Sequence, residues 1–213
     1  MSSEKQVSYQ STNTYEVLNT FTSKTKNVWM VCHGIGYLSR YFLKYFKHLD
    51  PEENYIIAPQ APSKYYLNGK YTHVGASWLT RENTELETEN VLNYLDEIYK
   101  AENLQDAPKL LLFGYSQGVS VVTRWVAKKN ITCDHLIMHS GKVPAELNAE
   151  DFSFLKNTSF SFIYGKQDEY LKEGVIKKEK ARLKEIFPSD LKIKTFNGGH
   201  EVSKELILEM AEI

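Results

Sequence analysis

Short apolar runs recur along the chain at Val28 to Cys32, Tyr55 to Ala58, Leu110 to Phe113, Leu136 to Met138, Phe160 to Tyr164 and Leu191 to Phe196. Each is rich in branched or aromatic residues and is soon followed by Gly, Pro or His, the pattern of a buried strand ended by a turn. Segments with helical spacing lie between them. They are Leu38 to Leu49, Glu82 to Lys100 (with Leu86, Val91, Leu95 and Ile98 on one face), Val119 to Lys128, Gly174 to Phe187 and Val202 to Met210. Strands alternating with helices require crossover connections, so the pattern predicts an α/β fold: a mostly parallel central sheet with helices on both faces. Val7 to Thr20 alternates polar and apolar residues and predicts one or two antiparallel strands at the sheet edge. No repeat, low-complexity tract or linker interrupts residues 1–213, which read as one domain with a flexible stretch at 1–6. About twenty residues separate the strand at Leu136 from that at Phe160, too few for a sizeable lid domain, so an open cleft is expected.

Composition narrows the function classes. A chain of 213 residues, 42% hydrophobic and 25% charged, is long enough to bury one sizeable core. Its formal charge of −1, with acidic and basic residues interleaved, argues against nucleic acid or an anionic membrane as the main partner. The polar start, MSSEKQVSYQ, lacks a signal-peptide profile and no apolar run has the length of a membrane span, so the expectation is a cytoplasmic protein. Cys32 and Cys133 form no CxxC and no metal-ligand spacing, which predicts buried free thiols and no metal site.

The chemistry concentrates after the strands, where α/β sheets bind ligands. LLLFGYSQGVS places Ser116 between Gly114 and Gly118 at a strand-to-helix turn, the G-x-S-x-G pattern of a nucleophile elbow. Glycine suits both flanking positions because side chains there would collide across the sharp turn, and the Gln117 amide at the helix start faces developing negative charge. A serine nucleophile needs a base, itself oriented by an acid, and in this arrangement acid then histidine follow the serine in the chain. His200, after the strand LKIKTF and the pair Gly198-Gly199, meets the first requirement. Asp168, just beyond Phe160 to Tyr164 and Gly165, meets the second; Glu169 is its adjacent competitor. A second oxyanion donor is expected from the Ile35 amide, in the loop His33-Gly34-Ile35-Gly36, where Gly34 lets the backbone turn and His33 braces the loop. His73 and His139 lie on segments able to approach the site.

The blocks HGIG, APQAP, GYSQG, GKQD and GGH, spread from Val28 to Leu206, resemble the phospholipase/carboxylesterase family of α/β-hydrolases, which includes the acyl-protein thioesterases and small bacterial carboxylesterases. The resemblance implies a serine hydrolase cleaving carboxylic esters or thioesters of short to medium acyl chains. Ser116, His200 and Asp168 would be its triad and the Ile35 and Gln117 amides its oxyanion hole, with a small-molecule or acyl ester substrate and no cofactor. Tyr37, Tyr65, Tyr66, Trp78 and His139 are candidate pocket residues, although core packing explains the aromatic segment GYLSRYFLKYF equally well. The chain departs from the family pattern at Val119, where a second glycine is usual. It departs again at Tyr170-Leu171, where a valine-proline pair is usual, and at His139 and Lys142 in MHSGKVP. Peptide or lactone hydrolysis on the same triad, or a hydrolase-like protein that binds without turnover, are the rival readings.

Overall fold

In the computed structural model, which describes residues 2–187 and 191–213, the strands assemble into one seven-stranded sheet. In chain order they are β1 (Tyr15–Leu18), β2 (Asn27–Cys32), β3 (Asn54–Pro59), β6 (Leu110–Tyr115), β7 (His135–His139), β8 (Ser159–Gly165) and β9 (Leu191–Phe196). Their spatial order is β1-β3-β2-β6-β7-β8-β9; β1 runs antiparallel to β3 and every other neighbouring pair is parallel. Central strands β2 and β6 are buried at every position, which explains why they read as unbroken apolar runs rather than as alternation.

Alternate residues of β2 feed two separate cores. Val28, Met30 and Cys32 face a cluster with Val91 and Leu95 of α2 (Thr84–Ala101), Val122 and Trp125 of α3 (Gln117–Lys129) and Leu183 of α4 (Glu173–Ile186). Trp29 and Val31 face the other layer, with Phe42 and Phe46, and with Ile207 and Met210 of α5 (Lys204–Ala211). Helices therefore cover both faces, as the two-residue side-chain period of a strand demands.

Two features differ from the sequence reading. The helix expected over Leu38 to Leu49 is a four-residue α1 (Ser39–Phe42) followed by a 3-10 turn at Leu43–Tyr45. Aromatic packing decides this: the tighter winding puts Phe42, Leu43, Phe46 and Leu49 all on the sheet side, with Phe46 edge-on to Trp29 and Phe113. A small hairpin of β4 (Ser63–Tyr66) and β5 (Val74–Ser77) was not expected, because β4 is exposed at every position and shows no buried face. Its signal was the Asn68-Gly69 pair, both at positive φ, 57° and 63°. At the N-terminus, Val7 to Thr20 contributes the single strand β1. Residues 2–14 have no regular structure, although the Asn83 amide donates to Glu4 at 3.1 Å. Met1, part of the stretch expected to be flexible, lies outside the described residues. Between β7 and β8 the connection holds only a 3-10 turn at Glu150–Phe152, so this connection carries no lid domain.

Candidate active site

Strand β6 ends at Tyr115, α3 begins at Gln117, and the residue between them, Ser116, has φ 53° and ψ −116°. That backbone conformation is rare for a residue with a side chain and is held by what surrounds it. A Cβ at Gly118 would stand 2.0 Å from the Cys32 carbonyl oxygen, and one at Gly114 would stand 2.6 Å from that of Gly118. From the neighbouring strand the His139 carbonyl accepts the Ser116 amide at 2.8 Å. Gly141 completes the cradle: a Cβ there would lie 2.4 Å from the Ser116 carbonyl oxygen. The sequence reading missed this glycine; its signal is the Ser140-Gly141 pair directly after a strand.

Ser116, His200 and Asp168 come together in one hydrogen-bonded line. His200 Nε2 lies 2.8 Å from Ser116 Oγ, and His200 Nδ1 lies 2.8 Å from Asp168 Oδ2. A carboxylate only accepts, so Nδ1 carries the ring proton and Nε2 is free to accept from the serine hydroxyl. The second oxygen of Asp168 accepts the Tyr170 and Leu171 amides at 2.9 and 3.0 Å, which holds the side chain, 0% exposed, in a fixed orientation. Glu169, the competing acid, turns to the main chain instead, accepting the His200 amide at 3.2 Å.

The loop carrying His200 is tied down from below as well. Tyr115 donates its hydroxyl to the His200 carbonyl at 2.8 Å, and His139 Nε2 accepts the Ser203 amide at 3.1 Å. Gly165 brings the end of β8 backbone to backbone with this loop, since a Cβ there would meet the Gly199 carbonyl oxygen at 2.3 Å.

On the opposite side the His33–Gly36 loop closes against the serine: a Cβ at Gly34 would sit 2.9 Å from the Tyr115 ring and 3.2 Å from Ser116 Cβ. Among the described residues the amides of Ile35 and Gln117 have no hydrogen-bond acceptor, the latter because it opens a helix. His33 is fully buried and burial lowers its pKa to about 4, so it is neutral; Nε2 accepts the Ala61 amide at 3.2 Å while Nδ1 donates to the Gly34 carbonyl at 2.8 Å. The Gln117 side chain accepts the Trp78 amide at 2.8 Å and donates to the Leu79 carbonyl at 2.7 Å, and the Trp78 indole N–H donates to the His33 carbonyl at 2.8 Å. One network thus joins the Ser-Gln pair, the Trp78 segment and the loop ahead of Ile35.

The candidate pocket residues divide. Trp78 and His139 are fully buried and line no cleft: the indole is committed to His33, and the His139 ring is enclosed by Phe113, Tyr115 and Phe196. Burial pushes the His139 pKa down to about 3. Tyr37 is half-buried, its hydroxyl 2.9 Å from that of Tyr45 and its ring edge-on to Tyr115. Tyr65 and Tyr66 are exposed on the hairpin, and the Tyr65 hydroxyl lies 3.8 Å from where a Gly36 Cβ would stand. His73 is exposed on the same hairpin, with its Nδ1 3.0 Å from the Thr72 hydroxyl.

A parallel sheet flanked by helices, with a strained serine at the strand-to-helix turn and a histidine-aspartate pair on the later loops, defines an α/β-hydrolase fold. The sequence profile of the phospholipase/carboxylesterase family matches residues 13–213, and the chain belongs to that family, which supports hydrolase activity. No curated protein matches the sequence. Among solved structures, acyl-protein thioesterase 2 from Zea mays superposes with a TM-score of 0.69 at 17% identity, covering 94% of this chain and 97% of its own. A phospholipase/carboxylesterase from Dyadobacter fermentans gives 0.68 at 16% identity, covering 96% and 99%. Esterase PE8 gives 0.67 at 20% identity, covering 94% and 96%. At these identities the likeness shows the fold. Among the described residues no helix is long and apolar enough to cross a membrane.

Proposed function

We propose that the protein is a serine hydrolase of carboxylic esters or thioesters, working through an acyl-enzyme on Ser116. The observation that carries this reading is the unbroken line from Asp168 through His200 to Ser116, with both bonds at 2.8 Å and the serine held at φ 53°. Ser116 Oγ attacks the carbonyl carbon while His200 Nε2 takes its proton. The carbonyl oxygen, now negative, is held by the unpartnered Ile35 and Gln117 amides; a donor in such a place typically stabilises the transition state by about 2.7 to 4 kcal/mol. His200 returns the proton to the departing alcohol or thiol. Water, deprotonated by His200, then attacks the acyl-serine, and His200 passes that proton to Ser116 Oγ as the acid departs.

The family supports carboxylic esters, and the thioesterase from Zea mays brings thioesters into the same proposal. Hydrolysis of p-nitrophenyl acetate and butyrate by wild type beside Ser116→Ala, with fluorophosphonate labelling of both, is the test. Turnover and labelling in wild type that vanish in the variant are expected. A folded wild type that does neither would leave a binding protein as the better account.

A further inference from the structure

His200 lies between two tyrosines that differ in kind. The Tyr115 ring, 5.4 Å away between centroids, is buried beneath it and committed to the His200 carbonyl. The Tyr170 ring, 4.7 Å away and edge-on at 69°, is 69% exposed and has no hydrogen-bond partner for its hydroxyl among the described residues. Its main chain, by contrast, is pinned: the Tyr170 amide donates to Asp168 Oδ1, and the next residue, Leu171, is buried in the core. The result is an aromatic ring fixed at its base, resting against the imidazole and offering the rest of its surface to whatever approaches.

What must approach is the leaving group. Resting on the hydrolase reading above, the departing oxygen or sulfur has to come within hydrogen-bond reach, about 3 Å, of His200 Nε2 to collect its proton. The imidazole side chain is only 15% exposed, so the approach is narrow. Of the two tyrosine rings packed against the imidazole, the one exposed to an incoming substrate is that of Tyr170, centred 4.7 Å away. We infer that Tyr170 is the wall of the leaving-group subsite and a specificity-determining residue, favouring esters and thioesters of aromatic alcohols and thiols over those of small alkyl groups. A flat ring on the substrate pairs with the Tyr170 ring; an ethyl group is too small to cover it. Aromatic pairs of this kind shift an equilibrium roughly three- to tenfold.

Benzyl acetate and ethyl acetate test this, because they leave the same acetyl-serine and differ only in the group that faces Tyr170. The ratio of their kcat/KM values, compared between variants, cancels their intrinsic reactivities. Tyr170→Ala is expected to lower the benzyl-to-ethyl ratio roughly three- to tenfold, and Tyr170→Phe to keep it within about twofold because the ring, not the hydroxyl, makes the wall. Tyr170→Leu, which keeps apolar bulk without a ring, replaces the alanine variant should that variant lose its near-ultraviolet circular dichroism. An unchanged ratio in the ring-less variant overturns the assignment, including the case where both substrates slow together, which is the mark of a scaffold role. Wild type that cleaves neither ester and takes up no fluorophosphonate overturns the hydrolase reading, and this one with it; wild type that labels and turns over while the ratio stays fixed overturns only the role of Tyr170.

Discussion

Tyr115 and His200 are joined by a hydrogen bond of 2.8 Å from the tyrosine hydroxyl to the histidine carbonyl, and Tyr115 is also the residue whose backbone leads into Ser116. One side chain therefore sets the height of the His200 ring above Ser116. Burial raises the pKa of the phenol, so it stays a donor at all ordinary pH. Tyr115→Phe keeps the ring packing against Phe42 and removes only the donor. A neutral hydrogen bond of this sort contributes about 1 kcal/mol to stability, about 2–4 °C in melting temperature, and the loosened His200 should lower kcat severalfold in enzyme that is still folded. Steady-state kinetics beside a thermal melt distinguish the two, and a melting temperature that collapsed with kcat unchanged per folded molecule would contradict the positioning role.

Asp168 and Glu169 are adjacent in sequence and do different things: the first holds the imidazole, the second the backbone of the same residue. Asp168→Asn should therefore be the costly change, since an amide at that position favours the wrong ring tautomer; the corresponding change in a serine protease lowers kcat by about 10⁴. Glu169→Gln keeps an oxygen able to accept the His200 amide and should stay within about tenfold of wild type. Single-turnover rates for both variants check the order, and a larger loss in Glu169→Gln would exchange their roles.

The glycines of the elbow make a prediction about stability. A methyl group at Gly118 would lie 2.0 Å from the Cys32 carbonyl oxygen, a backbone atom in the fully buried strand β2 that cannot rotate away. Gly118→Ala should cost about 3 kcal/mol or more, the upper end for overpacking a core. Gly174→Ala, at a position with open space around it, should be neutral or slightly stabilising by comparison. Urea denaturation of the two variants gives the contrast; equal midpoints would mean that β2 and α3 can part without loss.

Much of this arrangement was legible because its three residues follow strands in the order in which the chain meets them. Ser116 and Asp168 follow apolar runs buried in the sheet and His200 follows the edge strand β9, so reading the residues after each strand led to groups that the fold brings together. The failures share a cause. Leu38 to Leu49 has helical spacing, but the packing of Phe42, Leu43, Phe46 and Leu49 on one sheet face overrides it, and spacing alone carries no information about what they pack against. Trp78 and His139 look like pocket residues because they flank the motifs, yet both are consumed in bracing them. Gly141 and Tyr170 meet Ser116 and His200 across strands, and the sequence around each marks a turn without saying which residue it will touch, because that depends on register.

Three buried histidines set the pH dependence of stability. Burial lowers the pKa of His33 and His135 to about 4 and of His139 to about 3, from the usual 6.5. In the unfolded chain each takes up a proton as the pH falls below about 6.5, whereas in the folded protein none does until about 4 or lower. The unfolded state binds more protons across that window, so stability is fully present above about pH 6.5 and is lost as the pH falls towards 4. Each histidine contributes a slope of up to about 1.4 kcal/mol per pH unit, and the three together up to about 4. Glu179 opposes this, since burial raises its pKa and the folded state then holds its proton more readily, but it is a single group against three. His135→Gln, which retains a polar partner for the Ser161 hydroxyl, should make the slope shallower by about a third. Urea midpoints at pH 7.5, 6 and 5 for wild type and this variant measure both effects. A wild-type midpoint that did not move between pH 7.5 and 5 would mean that these histidines take up protons in the fold as readily as in the unfolded chain, against the burial and the acceptor roles of His33 and His139 that hold the two loops of the site.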